Sequence, residues 1–259
     1  MQPTVQGSKS KYMGDDEDES YVYGTRIEVV NADAFEQAIA LMEGLGTNDP
    51  YVAVLNLGNP RQPGGGWLGG SQAQEEFLCF RSSLSTALKT TYYPIATASG
   101  IYPPAVAIMR SSYETNHQWI ENPIDYKILS VLTVAATNNP KVCRKPNIAG
   151  DLYKPTGNYY ADPAQAELLC EKIRIVLRMA AYHGHSRIVL GALGCGVFNN
   201  PKERVAELFF HVFMEKEFTG VWWEHIVFAI KENPVVPPTN GFGDSNFDVF
   251  FRKLNGMVV

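Results

Sequence analysis

Short β-branched runs alternate with amphipathic stretches along most of this chain. Thr25–Val30 reads as a strand, after which Phe35, Ala38, Ile39 and Met42 share one helical face. Tyr51–Asn56 is almost continuously apolar, the mark of a strand covered on both faces. A glycine-rich interruption follows, and then Phe77, Phe80, Leu84 and Leu88 form a second helical stripe. Ala105–Met109 and Ile128–Ala136 read as further buried strands. Asp162-Pro163 is a helix start, an N-cap followed by proline in the first turn, and that helix runs to about Tyr182 with Leu169, Ile173, Val176, Leu177 and Ala180 inward. Arg187–Leu193 is the next strand, and Asn200-Pro201 opens a capped helix carrying Val205, Leu208, Phe209 and Val212. Ile226–Ile230 is the last strand, and a proline-rich link (Pro234, Pro237, Pro238) leads to a final helix with Phe247, Phe250, Phe251 and Leu254. Strands alternating with helices predict an α/β protein, a three-layer sandwich.

Composition narrows this picture. With 259 residues and 45% hydrophobic content, the chain can bury the core of one large domain, which we assign to residues 21–259. Residues 1–20 end in the run Asp15-Asp16-Glu17-Asp18-Glu19 and are expected to form an acidic, disordered tail. No apolar run is long enough to span a membrane, and no signal pattern opens the chain. Four widely spaced cysteines, with no metal-type pairing, fit a reducing compartment, cytosol or nucleus. The formal charge of -5 argues against direct DNA binding, so an anionic ligand would be held by local dipoles and main-chain N–H groups.

Two loops carry the chemistry. Pro63-Gly64-Gly65-Gly66-Trp67-Leu68-Gly69-Gly70 leaves a buried strand and runs, through Ser71-Gln72-Ala73, into Gln74-Glu75-Glu76. Successive glycines let N–H groups turn toward a ligand and let it come close. A carboxylate beside such a loop is placed to move protons at a bond being broken. A glycine-rich surface turn before an acidic helix start is the plainer alternative. The second loop, Gly191 to Pro201, holds Gly194, Cys195, Gly196, Val197 and Phe198 and enters a helix, which suits a phosphate. Both loops follow strand ends, where ligands bind in α/β sheets. A dinucleotide-binding Rossmann domain fits poorly because its fingerprint should follow the first strand, and the Walker A lysine is missing.

Gly64-Gly65-Gly66, seven residues, then Gln74-Glu75-Glu76 resembles the signature of the poly(ADP-ribose) glycohydrolases, a branch of the macrodomain superfamily. The Gly194–Phe198 loop is similar to the macrodomain diphosphate loop. Cys79-Phe80-Arg81-Ser82-Ser83 and the strand from Ser130 to Ala136 resemble the microbial type of that family. The resemblance runs from about Thr25 to Leu254. It implies an α/β/α macrodomain with a mixed central sheet, and hydrolysis of the ribose–ribose bond of poly(ADP-ribose), mainly from the chain end, with a place in ADP-ribosylation and the DNA-damage response. It implies ADP-ribose or its polymer, possibly attached to proteins, as partner and no metal or organic cofactor; no membrane partner is expected, and a monomer is. A non-catalytic ADP-ribose reader and a hydrolase of protein-linked ADP-ribose stand as alternatives; readers usually lack the Gln-Glu-Glu.

On this resemblance Glu76 does most of the proton work, protonated at rest through burial against Phe198 and the strand ends, giving its proton to the departing oxygen and taking one from water. Glu75 points elsewhere and positions the ribose, because adjacent helical residues do not share a face. Gln74 orients the pair or the ligand, and Gly64, Gly65 and Gly66 present N–H groups to the diphosphate or distal ribose. Asn56 and Asn59 stand where macrodomain asparagines bind ribose, although Asn59, before Pro60, equally suits a turn. Asp33 stands either as an adenine contact or as the N-cap of its helix. Cys195 reads as a structural residue of a tight loop, and His183-Gly184-His185 as a surface turn.

Overall fold

The computed structural model of the protein describes residues 24–144, 158–220, 222–232 and 245–259. The expected tail at 1–20 and the link through Pro234, Pro237 and Pro238 lie outside the described residues. In chain order the elements are β1 (Ile27–Val30), α1 (Ala34–Ala40), β2 (Ala53–Leu57), α2 (Gln74–Arg81), α3 (Leu84–Ala87), β3 (Val106–Ile108), β4 (Lys127–Val134), β5 (Val142–Arg144), β6 (Asn158–Tyr160), α4 (Pro163–Tyr182), β7 (Arg187–Leu190), α5 (Lys202–Phe213), β8 (His225–Ala229) and α6 (Asn246–Leu254).

Six strands form one mixed sheet in the order β1-β8-β7-β2-β4-β3. All neighbours are parallel except β3, which runs antiparallel to β4 at the edge. Val52, Ala53, Val54 and Leu55 are all buried because successive side chains enter opposite layers, both filled. One layer packs Phe35, Ala38, Leu78, Cys79 and Leu84 from α1, α2 and α3. The other packs Ile173, Leu177, Phe209, Phe213 and Phe250 from α4, α5 and α6. The result is a three-layer α/β/α sandwich, and β5 pairs with β6 as a separate two-stranded ribbon. No helix among the described residues is long and apolar enough to cross a membrane.

Several sequence expectations shift. The helix predicted after the glycine loop is two helices, and its inward residues are Glu75, Leu78, Cys79 and Arg81 rather than the phenylalanine stripe. Phe80 is 42% exposed. Leu84 and Leu88 are buried as expected, whereas the two phenylalanines of α2 give way to the shorter side chains beside them. Phe251 is likewise turned outward. Asn200 does not cap α5, whose first turn follows Pro201 with no side-chain cap. His185 is buried, with Nε2 2.7 Å from Tyr102 Oη and Nδ1 2.7 Å from the Tyr51 carbonyl oxygen, so it is no surface residue. Its burial lowers its pKa below the usual histidine value.

Candidate active site at the carboxyl ends of β2 and β7

The sheet opens where β2 and β7 part. Their ladder holds Ala53↔Ile188 and Val54↔Val189, whereas β2 and β4 stay paired as far as Leu57↔Val134. From β2 the chain proceeds toward β4 and β3, and from β7 it proceeds toward β8, so this is the point where strand order reverses. Divergence would strand main-chain groups of β2. Gln74 satisfies them: its Oε1 accepts from Leu57 N at 2.8 Å and its Nε2 donates to Leu55 O at 2.8 Å. The amide thus serves as a short piece of strand and fixes the start of α2 against the sheet.

That anchoring decides where the next two side chains go. Positions 75, 78 and 79 face inward, so Glu75 is buried (2% exposed), while Glu76, about 100° further round the helix, is only partly covered. Glu75 Oε2 accepts from Asn59 N at 2.6 Å and its Oε1 accepts from Asn56 Nδ2 at 3.2 Å. The same Nδ2 lies 3.2 Å from Thr133 Oγ1 on β4, Asn56's register partner. Burial raises the Glu75 pKa to about 7, against the lowering effect of the Asn59, Asn56 and Gly64 donors and with a further push from Glu76. Glu76 Oε1 accepts from Gly66 N at 3.0 Å. The desolvation expected at Glu76 therefore falls on Glu75.

The N–H groups of the glycine loop are also used differently from expectation. Gly66 donates to Glu76 at 3.0 Å, Gly65 donates to the Gln62 carbonyl at 3.3 Å, and the Gly64 N–H favours the charged form of Glu75. Carboxylates at the loop's own helix start take amides that were expected to face a ligand. The glycines are needed for close approach: a Cβ on Gly65 would lie 2.4 Å from Glu76 Oε1 and 3.3 Å from Glu75 Oε2, and φ is +55° there. A Cβ on Gly64 would lie 2.9 Å from Sγ of buried Cys79, whose pKa rises to about 12 through burial and then the charges of Glu75 and Glu76.

The second loop leaves the same edge of the sheet on the opposite layer. It reaches across to the end of β4, where a Cβ on Gly194 would come within 2.5 Å of Ala136 Cβ. Asn200 is the stitch that holds it. Its Nδ2 donates to Thr137 O (2.8 Å), Gly194 O (3.1 Å) and Phe198 O (3.3 Å), and its Oδ1 accepts from Tyr160 Oη at 2.8 Å. With those carbonyls turned inward, the N–H groups of Gly196, Val197 and Phe198 have no acceptor among the described residues. Consecutive free N–H groups of this kind are what a main-chain anion site requires. Val197 is 73% exposed, and Phe198 packs half-buried against the core. Burial pushes the Cys195 thiol up, away from a nucleophilic thiolate.

The remaining candidates divide. Asn59 forms the turn: its Oδ1 accepts from Arg61 N (2.8 Å) and Gln62 N (3.3 Å), and its main-chain N–H holds Glu75. Asp33 caps α1, its Oδ1 accepting from Phe35 N and Glu36 N, and the same oxygen meets Arg81 Nη1 at 2.7 Å. Thr133 and Arg81 are read from the sequence only as part of family-like stretches and not as site residues. A polar residue inside an apolar strand and a charged one on an inward helical position were the available signals. An open groove of about 540 Å³, lined by Tyr160, Cys170, Arg174, Arg204 and His211 among others, shares no residue with either loop. No three His, Cys, Asp or Glu side chains among the described residues group to hold a metal ion.

Comparison with known proteins sets the chain beside one family. Residues 4–111 match the family model for the microbial-type PARG (poly(ADP-ribose) glycohydrolase) catalytic domain. The crystal structure of poly(ADP-ribose) glycohydrolase from Thermomonospora curvata is 28% identical, covers 95% of this chain and 79% of its own, and superposes with a TM-score of 0.66. A structure of the T. curvata enzyme bound to the inhibitor ADP-HPD is 29% identical over 88% of this chain and 79% of that one, TM-score 0.65. The Deinococcus radiodurans enzyme in complex with ADP-ribose is 30% identical over 89% of this chain and 84% of that one, TM-score 0.64. No curated protein sequence matches the chain.

Proposed function

This chain belongs to the microbial-type poly(ADP-ribose) glycohydrolases, and we propose that it hydrolyses the ribose–ribose O-glycosidic bond of poly(ADP-ribose), mainly from the chain end, releasing ADP-ribose. The observation that carries this reading is the carboxylate pair on the glycine loop: Glu75 buried and held by main-chain amides, Glu76 beside it on the more open side of α2.

The division of labour follows from that placement. Glycoside hydrolysis needs a proton for the leaving oxygen, an activated water and stabilisation of an oxocarbenium-like state. Glu76 is the group able to reach substrate, giving its proton to the departing 2′-oxygen and receiving one from water. Burial raises the Glu75 pKa to about 7, so the pair retains a proton around neutral pH, and sharing that proton with Glu76 gives Glu76 the one it delivers to the departing oxygen. Glu75 also sets the loop through Asn59 and Gly64, and Gln74 sets Glu75 by tying α2 to β2. The free amides of Gly196, Val197 and Phe198, with Gly194 giving the turn and Cys195 filling it, hold the substrate diphosphate. Asp33 uses Oδ1 for its cap and for Arg81, leaving Oδ2 to accept from the adenine amino group. Four free thiols fit a reducing compartment, cytosol or nucleus.

The experiment is incubation with poly(ADP-ribose), following release of ADP-ribose by wild type and Glu76→Gln. Wild type should release monomer from the outset. Glu76→Gln should lose about 10²- to 10⁴-fold in turnover, the range of a general acid–base group, while still binding ADP-ribose. Binding by wild type with no release would identify a reader instead. Early release of oligomers would overturn the chain-end preference, and release from protein side chains in place of polymer would move the substrate to the protein-linked form.

A further inference from the structure

The outward face of α2 raises a question that the carboxylate pair does not answer. Phe77 and Phe80 follow Glu76 on the solvent side, and Phe80 lies one turn beyond it, on the same side of the helix. Phe80 joins an aromatic cluster with residues 110–119. Trp119 is 56% exposed and Tyr113 66%. Between Phe80 and Trp119 sits the Arg110 guanidinium, 4.7 Å from one ring centroid and 3.9 Å from the other. His117 meets Phe80 edge-on at 5.3 Å and approaches Phe77 and Tyr113 at 5.8 Å each.

This cluster is rigidly built. Arg110 pairs with Trp119 across an antiparallel bridge, and Ser111 N and Ile120 N donate to Gln118 O and Met109 O at 2.9 Å. Both Met109 N and Arg110 N donate to Arg81 O, at 2.8 and 3.0 Å, so the platform is fastened to the end of α2. Arg110 Nη1 donates to His117 O at 3.2 Å, and the guanidinium has no carboxylate partner among the described residues. In a chain of formal charge -5, a cation between two exposed rings with no carboxylate partner among the described residues is unusual. Contiguous exposed aromatics of this kind mark a binding surface.

We infer that Phe80, Arg110, Tyr113 and Trp119 form a second binding surface for poly(ADP-ribose), taking ADP-ribose units of a polymer engaged at the cleft. Nucleobases stack on exposed rings with little regard to sequence, and a planar guanidinium pairs with diphosphate oxygens. Charge complementarity selects an anionic occupant, and the place of Phe80 one turn along α2 from Glu76 puts the surface near a polymer engaged at the cleft. The inference rests on the proposed glycohydrolase function and adds to it a grip on the polymer that monomeric ADP-ribose does not use.

The test uses the full chain with Glu76→Gln, to prevent turnover, and ADP-ribose oligomers of defined length beside free ADP-ribose. Trp119→Ala and, from a different element, Phe80→Ala should each raise Kd for a long oligomer about fivefold or more, the effect of losing one base–aromatic stack. Arg110→Ala should do the same and flatten the salt dependence. Affinity for free ADP-ribose should stay within about twofold in all three, and Trp119→Phe should retain oligomer binding. Oligomer affinity unchanged in the three alanine variants would overturn this surface alone. So would a loss confined to ADP-ribosylated protein, because the cluster would then read the protein and not the polymer. If the parent protein bound neither free ADP-ribose nor oligomer, the glycohydrolase reading would fail, and this surface with it.

Discussion

Asn59 donates its main-chain N–H to Glu75 Oε2 at 2.6 Å, and yet this carboxyl still has its pKa raised to about 7. Burial therefore outweighs the donors that favour the charged form. The consequence for stability has a definite sign. Between the ordinary value of 4.5 and about 7 the folded protein holds a proton that the unfolded chain has released, so stability falls as pH rises through that interval. The full effect is at most about 3 kcal/mol, from about 1.36 kcal/mol per pKa unit. Glu75→Gln removes the ionisation while keeping the shape. Its melting temperature relative to wild type should be higher at pH 8 than at pH 5, and a pH-independent difference in thermal denaturation would refute the assignment.

Gly65 is where the loop has no room for a side chain beside the carboxylate pair. Gly65→Val would place Cβ 2.4 Å from Glu76 Oε1 at a φ of +55°, so both loop and carboxylate must move. Displacement of a reacting group by about 1 Å costs about a hundredfold in rate. We expect turnover to fall by that order while circular dichroism shows the fold intact. Near-normal turnover would mean that Gly65 and Glu76 are not held together in the working enzyme.

The layering and most strand positions were legible in the sequence because buried parallel strands are continuous apolar runs, and Asp162-Pro163 starts α4 at its observed boundary. The phase of α2 was not. Phe77 and Phe80 look like core in a sequence, and nothing local says that Glu75, Leu78 and Cys79 carry the inward face. That phase fixes which carboxylate is desolvated, so the expected burial went to the wrong glutamate. The fates of Asn59 and Asn200 were hidden for another reason. Whether an asparagine meets a ligand, starts a helix or stitches a loop depends on carbonyls brought near only by the tertiary fold.

Gln74 offers a sharper test of why the signature begins with an amide. It must donate to Leu55 O and accept from Leu57 N at once, and no carboxylate can do both. Gln74→Ala leaves two main-chain groups at the strand split unpaired, a cost of roughly 2–6 kcal/mol at about 1–3 kcal/mol for each group. Gln74→Glu should be nearly as damaging, because one carboxylate oxygen would face the Leu55 carbonyl. Urea denaturation should show both variants with lowered midpoints. A Gln74→Glu protein as stable as wild type would contradict the splint.

Arg81 links the far end of α2 to the start of α1. Its side chain is 1% exposed, pairs with Asp33 Oδ1 and Glu36 Oε1, and donates Nε to Arg110 O at 3.4 Å. Asp33 has two duties there, helix cap and ion partner, and asparagine separates them because it caps as well as aspartate does. Asp33→Asn should therefore cost about 1–3 kcal/mol through the weakened charged hydrogen bond to Arg81 alone. In an Arg81→Met background the same substitution should cost less than about 0.5 kcal/mol, since the cap survives and the pair is already gone. A four-member urea-denaturation cycle reads this coupling directly. Strict additivity would show that Arg81 is held by packing and Glu36, leaving Asp33 to cap α1 on its own.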